Sequence, residues 1–258
     1  MGIVRWIAFA AGIAALGTGC ADPELTAQVK ELASKVETLE AKIEENAKKM
    51  AEAPARRNAK SKTRREPTAE ELEARKMFTE AQKAITQLDY EVAKAKLDEI
   101  EKKHGKTPIM RNVLRTRAEL GIVGTQVSDL PVEKWYTDNK TTLADGEATL
   151  LVFFESWCGY CKREIPKMAK KYPGWKEAGL NVIGLTKVSR SASDESVAEF
   201  ISQHEVSFPV AKEQEGKPSE TYGVRGVPAA AVVKDGEVIW RGHPGTLSEE
   251  MIKRFIGA

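Results

Sequence analysis

The residues best suited to chemistry are two cysteines, Cys158 and Cys161, separated by Gly159-Tyr160 and preceded by Trp157. An apolar run, Thr149-Leu150-Leu151-Val152-Phe153-Phe154, leads into them, and a helix-like segment from Lys162 to Lys171 follows. A strand ending in Cys-x-x-Cys at a helix start suits thiol–disulfide exchange. Unpaired N–H groups and the macrodipole at a helix N-terminus favour negative charge. A thiol placed there, with an ordinary pKa of roughly 8.5, is drawn toward neutrality and attacks as the thiolate. Two intervening residues let the second sulfur reach back and close a small, reversible disulfide.

Other uses of the pair fit less well. Zinc takes about four ligands, yet the one remaining cysteine is Cys20, and His104, His204 and His243 are scattered. A c-type haem site needs His directly after the second cysteine, where Lys162 stands. An inert structural bridge is the blandest reading, and a Trp-flanked pair at a strand–helix junction speaks against it. The chain is therefore expected to hold no metal, and no cofactor beyond the redox-active pair Cys158–Cys161.

The segments before the pair set its compartment. Residues 1–20 read as an export signal, with Arg5 as a short n-region and Trp6 to Leu16 as the apolar stretch. Gly17-Thr18-Gly19-Cys20 resembles a bacterial lipobox, although Leu16 lies one place upstream of that pattern's usual position. Three outcomes fit: lipidation of Cys20, an ordinary cut before Cys20, or a retained anchor at the short limit for a bilayer span. All three put Cys158 and Cys161 outside the cytoplasm, in the periplasm or cell envelope, where disulfides persist.

Residues 21–50 read as a coiled-coil stalk. Val29, Val36, Ile43 and Met50 occupy one seam position, Leu25, Leu32 and Leu39 the other, and Asn46 the next leucine slot. Branched residues at a with Leu at d favour a parallel two-stranded coil, and Lys35 would pair with Glu40 across it. A single amphipathic helix packed on its own chain is the alternative. Residues 51–67 form a basic linker, with Arg56, Arg57, Lys60, Lys62, Arg64 and Arg65 around Pro54 and no apolar period. The chain's net charge is only +2, so this charge is local and no nucleic-acid role is expected.

Residues 68–121 are expected to form a helical hairpin spacer. Thr68-Ala-Glu-Glu71 is a capping box, and Met77, Phe78, Ala81, Ile85 and Leu88 line one helix face. Asp89-Tyr90 opens a second helix to about His104, and a third runs from Pro108 to Leu120. Residues 122–258 switch to an α/β pattern. Strands are expected at Val132–Tyr136, 149–154, Leu180–Thr186, Ser207–Ala211 and the hairpin Ala229–Val233/Glu237–Arg241, with a helix over Ser193–His204. Asp235-Gly236 supplies the hairpin turn, and Ser248 caps a last helix.

Trp157-Cys-Gly-Tyr-Cys161, followed by Lys-Arg-Glu164-Ile-Pro166 and later by Gly223-Val-Arg-Gly-Val227-Pro228, resembles the TlpA/ResA-like branch of exported thioredoxin-fold proteins. The resemblance covers residues 125–258. It implies a thioredoxin-like domain whose core carries a helix–strand insertion at 187–216, behind a helical hairpin and a coiled-coil helix. It implies Cys158 as attacking thiol, Cys161 as resolving thiol and Pro228 as a cis-proline facing them. Val227 would offer its backbone to an extended substrate, and Trp157 would shield the sulfur. Glu164 matches the branch's glutamate and would act as general base beside Cys161. Pro166 is expected to kink the active-site helix.

The expected function is an exported, membrane-tethered thiol–disulfide oxidoreductase acting on protein disulfides, foremost a reductase fed by a membrane thiol donor and self-associating through residues 24–50. Gly159-Tyr160 and Val227 also resemble Dsb-type isomerases, and a non-catalytic interaction head is the reading from another class.

Overall fold

Six strands form one mixed sheet in the order β1-β4-β3-β2-β5-β6: β1 (Val132–Trp135), β2 (Ala148–Phe154), β3 (Leu180–Thr186), β4 (Val210–Glu213), β5 (Ala229–Lys234) and β6 (Glu237–Gly242). The computed structural model describes residues 23–52, 65–189 and 192–257. Strand β2 lies between β3, which it pairs in parallel, and β5, which it pairs antiparallel. All its residues are buried, as its unbroken apolar run requires of a strand covered on both faces.

Side chains alternate between the faces with the strand period of two. Leu150, Val152 and Phe154 join one core, with Val182, Val232 and Trp240. Leu151 and Phe153 join the other, with Ile183, Leu185, Ala231 and Tyr222. The first face is covered by α5 (Cys161–Glu177), α6 (Asp194–Gln203) and α8 (Glu249–Ile256), through Ile165, Met168, Phe200, Ile252 and Phe255 among others. A short helix, α7 (Lys217–Thr221), leads to Tyr222 on the second face. The sheet with its active-site helix has the thioredoxin-like form that the resemblance implied.

Several boundaries differ from the sequence expectation for local reasons. Helix α5 runs six residues past Lys171 and continues through both Pro166 and Pro173. Met168, Tyr172 and Trp175 are buried at helical spacing, so packing of that face offsets the two missing N–H donors. Strand β4 begins at Val210 rather than Ser207, after Pro209, whose carbonyl accepts the Gly184 N–H at 2.8 Å. The β5–β6 turn holds Asp235 and Gly236 both at positive φ, 51° and 76°, as a two-residue hairpin turn of the primed type requires.

Residues 66–257 belong to one compact unit. Within it, α2 (Ala69–Thr86), α3 (Tyr90–His104) and α4 (Met110–Leu120) share a core of Phe78, Ala81, Leu97, Ile100 and Val113. Thr68 and Glu71 exchange the two hydrogen bonds of a capping box at the start of α2. Asp89 caps α3 by accepting the Val92 N–H at 3.2 Å. These helices dock on the sheet edge formed by β6: the Tyr90 hydroxyl donates to the Ile239 carbonyl, and Ile85 and Leu88 pack on the core that holds Trp240.

Helix α1 (Pro23–Glu52) belongs to the other unit. Its seam residues Leu32, Val36, Leu39 and Ile43 are all exposed, at 52–67%. Lys35 pairs with Glu31 of its own helix at 2.6 Å. The export signal, Cys20 and the linker from 53 to 64 lie outside the described residues. Among the described residues, no helix is long and apolar enough to cross a membrane.

Candidate active site

Strand β2 delivers the dithiol. After Phe154 the chain turns through Glu155-Ser156-Trp157, and the Cys158 N–H donates to the Glu155 carbonyl at 3.0 Å. Helix α5 starts at Cys161 without a side-chain cap from Tyr160. Cys158 fills that place: its carbonyl accepts the Lys162 N–H at 3.1 Å, and its sulfur accepts the Cys161 N–H at 3.2 Å. An orphan donor of the helix start is thus aimed at the sulfur. Both cysteines are free thiols, Cys158 at 4% exposure and Cys161 at zero.

Strand pairing brings the second half of the site opposite the first. Phe153 pairs with Ala229 across the β2–β5 ladder, so Val227-Pro228, just before β5, faces the turn after β2. The Val227–Pro228 peptide bond is cis. The Val227 carbonyl lies 3.6 Å from the Cys158 sulfur, leaving backbone polar groups beside the thiol where an extended chain can align.

The two thiols are electrostatically unequal. Burial above all pushes the Cys161 thiol far up; its bond with Cys158 and the charges of Cys158 and Glu155 add to this, while a backbone hydrogen bond from Glu155 opposes it. Cys158 lies on a cleft of about 900 Å³, together with Trp157, Tyr160 and Val227. Cys161 does not line it.

Glu164 is placed differently from the sequence expectation. Its carboxylate bonds Lys167 Nζ at 3.1 Å, approaches Gly245, and acts electrostatically on His243. It makes no hydrogen bond to either sulfur. The carboxylate beside the dithiol is Glu155, 8% exposed, which accepts the Trp157 indole N–H at 2.5 Å and the Ser189 hydroxyl. Sequence reasoning passed over Glu155, although one signal was present: a charged residue standing directly between a fully apolar strand and the cysteine motif. Trp157, held by this bond, keeps about a third of its surface exposed. The Arg163 guanidinium lies over the Tyr160 ring at 4.5 Å. Cys158, Cys161, Trp157, Val227 and Pro228 thus converge, Glu164 pairs with Lys167, and Cys20 lies outside the described residues.

Residues 123–241, which hold the dithiol, the cis-proline and five of the six strands whole, match the model of the AhpC/TSA family. The protein named thiol-disulfide oxidoreductase ResA of Bacillus thuringiensis subsp. konkukian is 33% identical over 112 residues, covering 43% of this chain and 62% of that protein. The sporulation thiol-disulfide oxidoreductase A of Bacillus subtilis is 23% identical over 110 residues, 43% of this chain and 67% of that one. The chain thus spans less than two thirds of the length of the ResA protein it matches. Among solved structures, StoA from Bacillus subtilis superposes with a TM-score of 0.41 at 21% identity, over 50% of this chain and 98% of that one. A DsbE-type thiol:disulfide interchange protein from Chlorobium tepidum gives 0.44 at 25% identity, over 52% and 98%. The matched stretch leaves α1 and all three docked helices outside it.

Proposed function

We propose that this protein is a thiol–disulfide oxidoreductase that reduces disulfides in substrate proteins. The observation that carries this reading is the inequality of the two thiols: Cys158 caps a helix start and lines a cleft, while Cys161 is fully buried behind it. The names of the relatives that match this chain support the oxidoreductase part of the reading.

In this mechanism the Cys158 thiolate attacks one sulfur of a substrate disulfide and expels the other as a thiolate, forming a mixed disulfide. Cys161 then loses its proton and attacks the Cys158 sulfur. The Cys158–Cys161 disulfide forms, and the substrate leaves as a dithiol carrying two electrons and two protons. A membrane thiol donor restores the pair. Glu155, whose charge acts on the Cys161 thiol, is the carboxylate assigned to its proton in this reading. Tethering through Cys20 outside the cytoplasm and self-association through residues 24–50 complete the proposal.

A redox titration of the Cys158–Cys161 pair tests the direction. A reductase should fall well below the about −120 mV of the strongest oxidants of this chemistry, and a value near that figure would overturn the reading. One observation favours an isomerase as second reading: the exposed seam of α1 suits an assembly with several catalytic heads. Restoration of activity to a scrambled multi-disulfide substrate, absent from a variant lacking residues 24–50, would identify it.

A further inference from the structure

The wall of the cleft over Cys158 is unusual in both polarity and charge. Among the described residues from 122 onward, the exposed large apolar side chains are Trp157, Tyr160 and Val188. The first two line the cleft, and Val188 lies between Lys187 and Ser189, which also line it. Exposed apolar groups gathered at one place, rather than scattered singly, mark a contact surface.

The same wall carries Arg163, Lys187 and Arg225. None of the three is in an ion pair among the described residues, whereas Lys167, Lys171 and Lys212 nearby on the domain are paired. Arg163 contacts the Tyr160 ring and the Gly159 carbonyl, both neutral. Lys187 also faces Glu213, a buried carboxylate already bonded by the N–H and hydroxyl of Ser219 at 2.8 Å each. The one acid on the wall is Glu155, buried and committed to Trp157 and Ser189. Three cations therefore border the thiol without a surface counter-charge.

We infer that the cleft selects substrate segments that are apolar beside the disulfide and acidic on both flanks. The inference rests on the thiol–disulfide reading of Cys158 and specifies its substrate class. Aromatic and aliphatic contacts at Trp157, Tyr160 and Val188 would seat the residue next to the substrate cysteine. Carboxylates on either side would then meet Arg163 on the helix side and Lys187 and Arg225 on the loop side. Exposed pairs of this kind each change affinity about two- to fivefold, so the three together separate acidic from basic substrates by about tenfold or more.

The test uses the full chain, pre-reduced, in single-turnover reactions with three peptides. Each peptide closes the same small disulfide loop with Leu beside the cysteine, and the flanks are Glu, Ser or Lys. Second-order rate constants should rank Glu over Ser over Lys, and the spread should shrink at high salt as exposed charges are screened. The double variant Arg163→Glu/Arg225→Glu should invert the ranking, read as the ratio of the Glu-peptide to the Lys-peptide rate so that a change in thiol reactivity common to all three peptides cancels. Equal rates for all three peptides would overturn the inference and leave the thiol chemistry standing. The same holds if Lys102→Glu/Lys253→Glu, at residues that do not line the cleft, inverted the ranking equally. Failure of every peptide to react would remove the thiol–disulfide reading itself, and the inference with it.

Discussion

The backbone N–H of Cys161 points at the sulfur of Cys158, 3.2 Å away. One cysteine therefore stabilises charge on the other through the helix start, while its own thiol is buried where charge is costly. Both effects come from the placement of the pair across a helix boundary.

This asymmetry sets the order of reaction. At pH 7, iodoacetamide should modify Cys158 well before Cys161, because alkylation needs an accessible thiolate, and Cys158 lines the cleft while Cys161 is fully buried. Peptide mass mapping after timed quenching reads the ratio. Equal labelling of the two in the folded protein would remove the assignment of Cys158 as nucleophile. Cys161→Ser should hold substrates as mixed disulfides, and Cys158→Ser should hold none.

Glu155 gives a pH prediction with a definite sign. A carboxylate near a thiol disfavours the thiolate, so its negative charge is among the causes that hold the Cys161 thiol up. Glu155→Gln keeps an acceptor for the Trp157 indole and removes the charge. The alkaline limb of Cys161 alkylation, measured in a Cys158→Ser background, should move to lower pH. Glu164→Gln, whose parent carboxylate pairs with Lys167, should move it by less than about 0.3 unit, as expected of a more distant, screened charge. A reversed ranking would return the proton-handling role to Glu164.

The contrast between these glutamates shows what could be read from sequence and what could not. The buried strand, the dithiol and the last helix announced themselves through an apolar run, a fixed spacing and a capping serine. Val227-Pro228 was placed by resemblance alone, since nothing in a Val-Pro dipeptide distinguishes a cis bond from a trans one. Glu164 is assigned by its match to the branch's glutamate, but its carboxylate pairs with Lys167 one turn on and approaches Gly245, a tertiary neighbour that no motif reveals. Helix α5 runs past Lys171 because the burial of Tyr172 and Trp175 outweighs the missing donor of Pro173. Docking of α2–α4 on β6 was equally invisible. Periodicity shows that a helix has an apolar face, not which surface will cover it.

Tyr90 measures that docking. Its hydroxyl reaches a main-chain carbonyl 149 positions away, joining the start of α3 to β6. Tyr90→Phe leaves the Ile239 carbonyl without this donor and should destabilise the protein by about 1 kcal/mol. Denaturant unfolding should show a lower midpoint with an unchanged slope. A lower slope instead would mean that the helices detach before the sheet unfolds, and no change in either would remove this contact from the stability of the docked unit.

The exposed seam of α1 supports the last prediction. Leu32 and Leu39 stand 61% and 57% exposed on a 30-residue helix, with Val36 and Ile43 beside them. Burial of a leucine contributes about 1.5–3 kcal/mol, so four such side chains left in water on one helix point to a partner surface. The proposed partner is a parallel second copy, since branched residues at one seam position with leucine at the other favour two strands. Leu32→Ala/Leu39→Ala should weaken self-association at least about a hundredfold, from two lost leucines on each chain. Sedimentation equilibrium of the full chain should show a shift toward monomer, while single-turnover reduction by Cys158 stays unchanged. An oligomer of the same size in the double variant and after deletion of residues 24–50 would remove the stalk as the interface. It would also remove the main support for an enzyme with several heads.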